Sequence, residues 1–431
     1  MRKHFLLLLT LILSACTTTE FVVQPQRVAD MDEKKRIVVF FDGTANDEAS
    51  RTNIAKLHNI VTLQNRSDIN AIYIKGVGTG GQSESKLLGM GLGAGIGRDV
   101  QQAYNFIASR YNPLSDDELY LFGFSRGAYT ARILAGLIEV AGVPDLRSTN
   151  KKDREQIIED IYLAHKGWKS RKEREADIAK VRPAQKSYPD IEFMGLWDTV
   201  EALGAPDFSE GWNRPGGRLD QRYFDQLCNI KDAAHALSID DFRATSFTPT
   251  LLTYNDLTKE CNSDVDIHSV VDEVWFAGAH SDVGGGYADT ELDGVSLNWM
   301  LGKIRRYKLV PENTRVLENR FGLSHNADEG WLGIFYIKRN RHIPGYLKGA
   351  GYPGNKLPVH ESVFERLGAG GPGKQWFEFD WSDERNYRHC FVSVDGTEPP
   401  DCFSTQCNLK LKDTQDCFKK VTTDYYTPVE D

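Results

Sequence analysis

The sequence predicts an α/β fold built on a mainly parallel β-sheet with helices on both faces. Two observations support this fold class. Short, uninterrupted apolar runs such as Ile37–Phe41 and Ile191–Trp197 are typical of strands that are buried on both sides in a parallel sheet. Stretches with the helical spacing of apolar residues separate these runs, and alternating strands and helices give parallel sheets. A chain of 431 residues is long enough for one large domain with insertions.

The first residues have the pattern of an export signal. Arg2 and Lys3 precede an apolar core, Phe5–Leu13, that is too short to span a bilayer. The following Leu-Ser-Ala-Cys, ending at Cys16, resembles a bacterial lipobox, in which the cysteine is lipidated and becomes the mature N-terminus. The alternative is an ordinary secretory signal with an unrelated cysteine. We expect a lipoprotein signal peptide over 1–16.

A polar tether is expected over 17–35, between the lipid and the folded part of the chain. Thr17 stands where the aspartate of the inner-membrane retention pattern would be. The sequence therefore predicts a lipid-anchored protein of the bacterial envelope, at the periplasmic face of the outer membrane. Its net charge of −9, with both signs mixed throughout and no basic patch, argues against nucleic acid as a partner.

The first predicted strand, Ile37–Phe41, ends in the loop Asp42-Gly-Thr-Ala-Asn46, and a helix over 52–63 and a strand over 69–74 follow. Residues 76–81 formally match the G-x-G-x-x-G pattern of dinucleotide sites. No helix is predicted to open at the last glycine, so we expect a loop near a substrate instead. Its apolar part, Leu87–Ile96, could contact lipid, or it could form a tight helix crossing. A helix over 98–111 is predicted next.

The strongest motif lies between a predicted strand, Leu119–Phe122, and a predicted helix, Ala128–Val140. The turn reads Gly123-Phe-Ser-Arg-Gly127, which is G-x-S-x-G in its required strand–turn–helix context. The small neighbours allow a strained turn that lifts Ser125 above the sheet edge. The amide groups and the positive dipole end of the helix point at the same place. This pattern predicts a nucleophilic serine.

Two further strands end in reactive side chains. The strand 191–197 leads to Asp198, and the strand 273–277 leads to His280 within a glycine-rich turn. Between the predicted strands, 145–190 and 201–260 are interpreted as insertions. The first contains charged surface helices, and the second contains a helical stretch over 230–242. A helix over 294–308 completes a predicted catalytic domain over 36–308, and 309–431 forms a cysteine-rich C-terminal extension.

The chain order Ser125, Asp198, His280 is the order of the α/β-hydrolase fold. His280 would take the proton from Ser125 and return it to the leaving group, and Asp198 would fix the tautomer of His280. The N–H of Arg126 would donate to the oxyanion. A second donor would come from the loop after the first strand, at Gly43 or Thr44.

Several alternatives stay open on the sequence alone. Asp198 could cap the following helix, and Asp282 competes with it as the acid or as a brace of the glycine turn. His360 is the rival of His280. Asp42 is unexpected beside an oxyanion site, and it could order the loop after the first strand. A metal ion shared by Asp42 and Asp282 has weak support, and neither a metal nor another cofactor is expected.

The chain has seven cysteines, and all but Cys16 are candidates for disulfide bonds because the protein carries an export signal. Zinc ligation is less favoured, since no pair of cysteines has the spacing of a zinc finger. The six candidates allow 15 pairings: they are Cys228, Cys261, Cys390, Cys402, Cys407 and Cys417.

The joint occurrence of these motifs resembles the α/β-hydrolase family, formerly of unknown function, that includes the phospholipase effectors of type VI secretion. The resemblance spans 36 to about 305. The residues that carry it are Phe41-Asp-Gly-Thr-Ala-Asn46, Gly76-Val-Gly-Thr-Gly80, Gly123–Arg132, Leu196-Trp-Asp-Thr-Val200, Ala236-Leu-Ser-Ile-Asp-Asp-Phe-Arg243 and Trp275–Tyr287.

The resemblance implies phospholipase A-type or related hydrolysis of lipid esters, with the family's serine, aspartate and histidine on Ser125, Asp198 and His280. Two other functions stay open. One is a carboxylesterase that acts on soluble or acyl-sugar esters, and the other is a non-catalytic envelope binding protein on a hydrolase scaffold. The expected partners are a lipid or ester substrate and the membrane that holds the anchor.

Overall fold

The structure is a computed structural model that describes residues 34–44, 46–76, 92–166, 169–181, 186–200, 225–241, 243, 247, 249, 251–253, 255–259, 261, 264–287, 292–320, 322, 324–325, 341, 357–363 and 418–421. Residues from Lys34 onward form one unit. The predicted signal peptide with Cys16, the tether up to residue 33, and four of the cysteine candidates (Cys390, Cys402, Cys407 and Cys417) lie outside the described residues.

An eight-stranded sheet forms the centre of the fold. Its strands run in the order β2-β1-β3-β6-β7-β8-β9-β10, and every pairing between neighbours is parallel. The strands are β1 (Arg36–Phe41), β2 (Ile69–Ile74), β3 (Glu118–Phe124), β6 (Ile191–Trp197), β7 (Ala233–Ser238), β8 (Val271–Phe276), β9 (Leu357–His360) and β10 (Phe418–Val421). A separate antiparallel pair joins β4 (Val143–Pro144) to β5 (Lys186–Ser187).

Helices cover both faces of this sheet, as predicted for the α/β-hydrolase fold. They are α1 (Asn53–Thr62), α2 (Leu92–Ala108), α3 (Arg126–Ala141), α4 (Lys151–His165), α5 (Arg171–Ile178), α6 (Ile267–Val270), α7 (His280–Gly284) and α8 (Asp293–Ile304). Four of them follow capping residues whose side chains accept a backbone N–H of the first turn: Thr52, Asn150, Ser170 and Asp266.

The side chains of β1 point alternately to the two faces of the sheet, which separates two apolar layers. Ile37, Val39 and Phe41 pack into the layer that contains α2 and α3. Val38 and Phe40 face the opposite layer, which contains α1 and α8. Because successive side chains of a strand point to opposite faces, a strand between two helical layers must be apolar throughout. This requirement is why the uninterrupted apolar runs predicted the buried strands correctly.

The helix predicted over 230–242 is wrong, because Ala233–Ser238 is strand β7 at the centre of the sheet. Its alanines favour a helix by intrinsic propensity. Pairing with β6 and β8 on both sides overrides that preference, and all six residues are buried. The sheet also continues beyond residue 308, since β9 and β10 come from the C-terminal segment.

The glycine-rich region leads into a longer helix than predicted. Helix α2 begins at Leu92 rather than at residue 98, and Ile96 is buried in the apolar core. Leu87 and the rest of 77–91 lie outside the described residues. The charged segment 145–190 contains α4 and α5, in agreement with the predicted helices. In the described part of the chain, no helix is both long and apolar enough to cross a bilayer.

Among the cysteines that the structure describes, Cys228 and Cys261 form a disulfide bond. It connects the segment that enters β7 with the segment that precedes β8. The disulfide prediction therefore holds for this pair of cysteines.

Candidate active site

The turn between β3 and α3 places Ser125 at the carboxyl end of the sheet. Its N–H donates to the carbonyl of Trp197 at 2.9 Å, which extends the pairing of β3 with β6 by one residue. The backbone then turns through φ 58° and ψ −125°, a conformation that a serine rarely adopts. A side chain at Gly123 or Gly127 would overlap neighbouring backbone, so both positions require glycine. Such strain costs about 1–3 kcal/mol and is typical of functional turns.

Asp198 follows the neighbouring strand β6 and is completely buried. Its N–H donates to the carbonyl of Ala236 at 2.7 Å, and its φ of 36° also lies in the left-handed region. The carboxylate accepts the backbone N–H of Ser238 through Oδ1 at 2.9 Å. The carboxyl ends of β6 and β7 thus fix both the backbone and the side chain of Asp198.

His280 begins helix α7 just after β8. Two adjacent aspartates that follow β7 hold this turn: Asp240 accepts the N–H of Gly278 at 2.6 Å, and Asp241 accepts the N–H of His280 at 3.2 Å. The hydroxyl of Ser238 donates to the carbonyl of Gly278 at 2.7 Å. These contacts give a physical reason for the Ser-Ile-Asp-Asp motif, which the sequence identified without a role.

The three side chains form one hydrogen-bonded chain. His280 Nε2 lies 2.8 Å from Ser125 Oγ, and His280 Nδ1 lies 2.5 Å from Asp198 Oδ2. An ionised carboxylate accepts hydrogen bonds only, so Nδ1 carries the proton and Nε2 has its lone pair toward the serine hydroxyl. In this arrangement the imidazole can accept a proton from Ser125, which is the requirement for an activated nucleophile.

The ionisation states agree with this arrangement. Burial by itself would raise the pKa of Asp198, but the guanidinium of Arg341 and the hydrogen bond from His280 hold that pKa well below its usual range. Burial lowers the pKa of His280, although the contact with Asp198 acts in the opposite direction. At neutral pH the pair is therefore a carboxylate and a neutral imidazole, the form that can act as a base.

Two aromatic rings hold the imidazole between them. The ring of Phe124 lies 4.6 Å from that of His280 at an angle of 32°, and the ring of Phe247 lies 4.9 Å away, edge to face. The guanidinium of Arg243 covers Phe247 at 3.6 Å from the ring centroid. This packing restricts rotation of the imidazole and excludes water from its faces.

The loop after β1 lies against the serine, and a Cβ added at Gly43 would be 3.2 Å from Ser125 Cβ. The Gly43 N–H, however, donates to Asp42 Oδ1 at 2.7 Å. The Thr44 hydroxyl is buried and has no hydrogen-bond partner within the described residues. The predicted donors therefore differ: the N–H of Gly43 is already engaged, Thr44 offers an unused buried hydroxyl, and Arg126 occupies the first position of α3.

Asp42 orders this loop, as the sequence suggested. It accepts hydrogen bonds from Gly43, from the Thr52 hydroxyl at 2.6 Å and from the Tyr73 hydroxyl at 2.5 Å. Burial raises its pKa to about 6, against the lowering effect of these three donors. In the described part of the chain, no group of three or more histidine, cysteine or acidic side chains could hold a metal ion.

The two alternatives from the sequence have other partners. Asp282 accepts the N–H of Ala279 at 2.8 Å and pairs with His325 Nδ1 at 2.6 Å. His360 is fully buried in β9, with Nδ1 2.9 Å from the Ser362 hydroxyl. Burial lowers the pKa of His360 to about 3. The hydrogen bond to His280 Nδ1 is made by Asp198, whereas Asp282 and His360 are engaged with these other partners.

A second buried network lies behind the site and was not predicted. His235 Nδ1 is 2.8 Å from Glu273 Oε2, and His235 Nε2 accepts the N–H of Thr199 at 3.1 Å. Because Thr199 directly follows Asp198, this network holds the backbone that carries the strained aspartate. A histidine and a glutamate inside two strands give no local sequence signal for such a role.

The chain is similar to several known proteins. The family model described as T6SS, phospholipase effector Tle1-like, catalytic domain, matches residues 35–303. An uncharacterized protein of Saccharomyces cerevisiae is 27% identical over 53% of this chain and 36% of its own length.

Two solved structures are also similar to this chain. The crystal structure of an uncharacterized protein from Pseudomonas aeruginosa is 19% identical, with 63% of this chain and 45% of that chain covered and a TM-score of 0.36. A Tle1 effector bound to the VgrG spike of the type 6 secretion system is 19% identical, with coverages of 59% and 52% and a TM-score of 0.30. The chain thus spans between about a third and a half of the lengths of these three proteins.

Proposed function

Given that this chain belongs to the family of Tle1-like phospholipase effector catalytic domains of type VI secretion, we propose that it is a serine hydrolase of lipid carboxylic esters. The family resemblance predicted from the motifs is confirmed by the match over 35–303. The observation that carries the proposal is the chain of hydrogen bonds from Ser125 through His280 to Asp198. A serine, a histidine and an aspartate in this geometry form the catalytic triad that serves serine hydrolysis on several unrelated folds.

The proposed reaction has two halves. Ser125 Oγ attacks the ester carbonyl carbon while its proton passes to His280 Nε2, and the resulting imidazolium is stabilised by the carboxylate of Asp198. The tetrahedral intermediate collapses when the C–O bond to the alcohol breaks and His280 returns the proton to the leaving oxygen. Water then attacks the acyl-enzyme by the same route, and the free acid leaves while Ser125 recovers its proton.

Charge on the intermediate would be stabilised at the start of α3. The N–H of Arg126 belongs to the residue after the nucleophile, and it lies at the positive end of the helix dipole. The Thr44 hydroxyl is the second donor that we propose, because it is buried without a partner among the described residues, in a loop that contacts the serine. Donors prearranged in a buried site are effective because they need no reorganisation during the reaction.

We propose phospholipase A-type cleavage of membrane lipid, which rests on the family membership. The test compares a long-chain phosphatidylcholine or phosphatidylglycerol in vesicles with short p-nitrophenyl esters, using a chain that lacks residues 1–20. We expect the rate on phospholipid to rise on the order of tenfold or more once the lipid aggregates, since an interface raises the effective substrate concentration. The Ser125→Ala variant gives the blank.

Two outcomes would contradict this assignment of substrate. Good hydrolysis of short esters with no release of fatty acid from any phospholipid would move the assignment to a carboxylesterase of soluble or acyl-sugar esters. If the protein hydrolyses none of the esters and does not react with a fluorophosphonate probe, it is a non-catalytic binding protein on a hydrolase scaffold.

The location that we propose is the periplasmic face of the bacterial outer membrane, with a lipid on Cys16 as the anchor. The support is the Leu-Ser-Ala-Cys sequence after an apolar core and the threonine that follows it. A lipidated terminus with more than one acyl chain binds a membrane stably.

The Cys16→Ser variant should therefore move the full chain from the membrane pellet to the soluble fraction. Thr17→Ser, which keeps the cysteine, should leave it in the pellet. Mass spectrometry of the mature protein should find acylated Cys16, and an unmodified Cys16 there would exclude the anchor.

A further inference from the structure

Arg341 is a buried cation beside the proposed active site. Its side chain is completely buried, and its two terminal nitrogens donate four hydrogen bonds. Two reach the two oxygens of Asp198, each at 2.7 Å, which is the bidentate geometry that only arginine can provide. The other two reach the carbonyl oxygens of Ser238 at 2.5 Å and Phe247 at 2.8 Å.

These contacts complete the coordination of Asp198. Oδ1 accepts from Ser238 N–H and from Arg341, and Oδ2 accepts from His280 and from Arg341. Each carboxylate oxygen therefore has both lone pairs engaged. The plane of the carboxylate is fixed by the guanidinium fork, and this plane directs Oδ2 at the imidazole.

We propose that Arg341 is a positioning residue of the hydrolase, which sets the orientation and the charge of Asp198 and, through Asp198, the basicity of His280. The inference rests on the proposed function. It extends the site to a residue outside the region 35–303 that defines the family match. The C-terminal segment thus contributes directly to the catalytic apparatus.

The charge of Arg341 has a defined effect on proton binding. A carboxylate buried without a partner is strongly disfavoured, and removal of one member of a buried ion pair leaves the other charge uncompensated. Without the guanidinium, the Asp198–His280 pair would hold one proton more tightly, whichever of the two side chains carries it. The apparent pKa of the pair must therefore rise when the positive charge at residue 341 is removed.

Other charged or titratable groups near the pair remain in every variant that tests this inference: Asp240, Asp241, Arg243, Asp282 and His325. Asp241 is paired with Arg243 at 2.6 Å, so these two charges largely offset each other at His280. Asp282 is paired with His325 at 2.6 Å. Since these pairs are unchanged, a shift in the pH profile reports the loss of the charge at residue 341.

The experiment measures kcat/KM against pH for a short p-nitrophenyl ester, with the full chain and the variants Arg341→Gln and Arg341→Lys. For Arg341→Gln we expect kcat/KM at pH 7 to fall about 100-fold, because the catalytic groups lose their alignment. The acidic limb of the profile of kcat/KM against pH should move to higher pH by about one unit, as expected when the positive charge near the Asp198 carboxylate is lost. Arg341→Lys keeps the charge, so its limb should stay near that of the wild type, with a smaller fall in rate.

Arg174→Gln is the matched control. Arg174 is equally buried and is paired with Asp225 at 2.8 Å, in a cluster around α5 that does not include the proposed site. It should lower thermal stability without moving the acidic limb. If Arg341→Gln has the wild-type limb and loses no more activity than Arg174→Gln, Arg341 supports the fold only and the inference is wrong.

A second measurement, of melting temperatures, tests the ion pair between Asp198 and Arg341 even where variants fold poorly or lack activity. Asp198→Asn leaves Arg341 as an uncompensated buried cation, whereas Asp198→Asn with Arg341→Gln removes both charges. The double variant should melt at a higher temperature than Asp198→Asn alone, and a lower melting temperature would refute the ion pair. If the wild type neither hydrolyses the ester nor labels with a fluorophosphonate, the proposed function fails, and the comparison of melting temperatures still tests the pair.

Discussion

Replacing Ser125 by alanine is expected to reduce kcat for ester hydrolysis by about four to six orders of magnitude, because the attacking atom itself is lost. The residual rate would come from the donors at the start of α3 and from substrate binding. The fold should be retained, since the hydroxyl contacts His280 and the strained backbone is held by the N–H bond to Trp197, which alanine keeps.

The measurement is hydrolysis of a short p-nitrophenyl ester together with fluorophosphonate labelling. Ser109→Ala is a suitable control, because the Ser109 hydroxyl donates to the carbonyl of Phe106 near the end of α2 and accepts from the neighbouring Arg110, and neither partner belongs to the proposed site. It should keep wild-type turnover and labelling. Wild-type turnover of a folded Ser125→Ala protein would remove Ser125 from the mechanism, whatever its contact with His280.

The proximity of the candidate residues was predictable because the topology of the sheet determines where each of them lies. Ser125, Asp198 and His280 are far apart in the chain, yet each follows a strand of a parallel sheet. The carboxyl ends of parallel strands lie at one edge, and β3, β6, β7 and β8 are consecutive in the sheet. An apolar run followed by a reactive residue was therefore enough to predict that the three side chains lie close together. Their catalytic roles stay predictions.

The sequence was misleading where local preference and tertiary environment disagree. Ala233–Ser238 has a composition that favours a helix, but two neighbouring strands bury it completely. The sheet register also places the small Ala236 beside Trp197 of the adjacent strand β6, which is a large and fully buried side chain. A single sequence carries no information about such long-range pairing.

Arg341 shows a second reason why part of the site could not be predicted from the sequence. It lies in a segment with weak periodicity, within the basic run Lys338-Arg-Asn-Arg-His342, and arginine is far more often exposed than buried. Nothing within a few residues of it indicates that its partner is Asp198, which lies 143 positions earlier. Asp42 was recognised as unusual beside a site that must stabilise negative charge. The structure supplies the three donors that satisfy it and the burial that raises its pKa to about 6.

The acid of the proposed triad can be tested by comparing Asp198→Asn with Asp282→Asn. Asparagine at 198 can present its amide N–H to His280 Nδ1, which would then carry the lone pair and leave the proton on Nε2, facing Ser125. A histidine in that tautomer is unable to accept the serine proton, so kcat should fall by about 10⁴-fold. The variant also leaves the Arg341 cation unpaired, at a cost of about 3–5 kcal/mol in the free energy of unfolding.

Asp282→Asn should have a much smaller effect on turnover, because Asp282 contacts Ala279 N–H and His325 and holds the turn rather than the imidazole. The comparison requires kcat for both variants, with circular dichroism and thermal melting to establish that each is folded. Raising the pH should not rescue Asp198→Asn, since its defect is the position of a proton rather than the loss of a base that needs deprotonation. A larger loss in Asp282→Asn than in Asp198→Asn, with both proteins folded, would assign the acid to Asp282 and leave Asp198 with Arg341 as a structural pair.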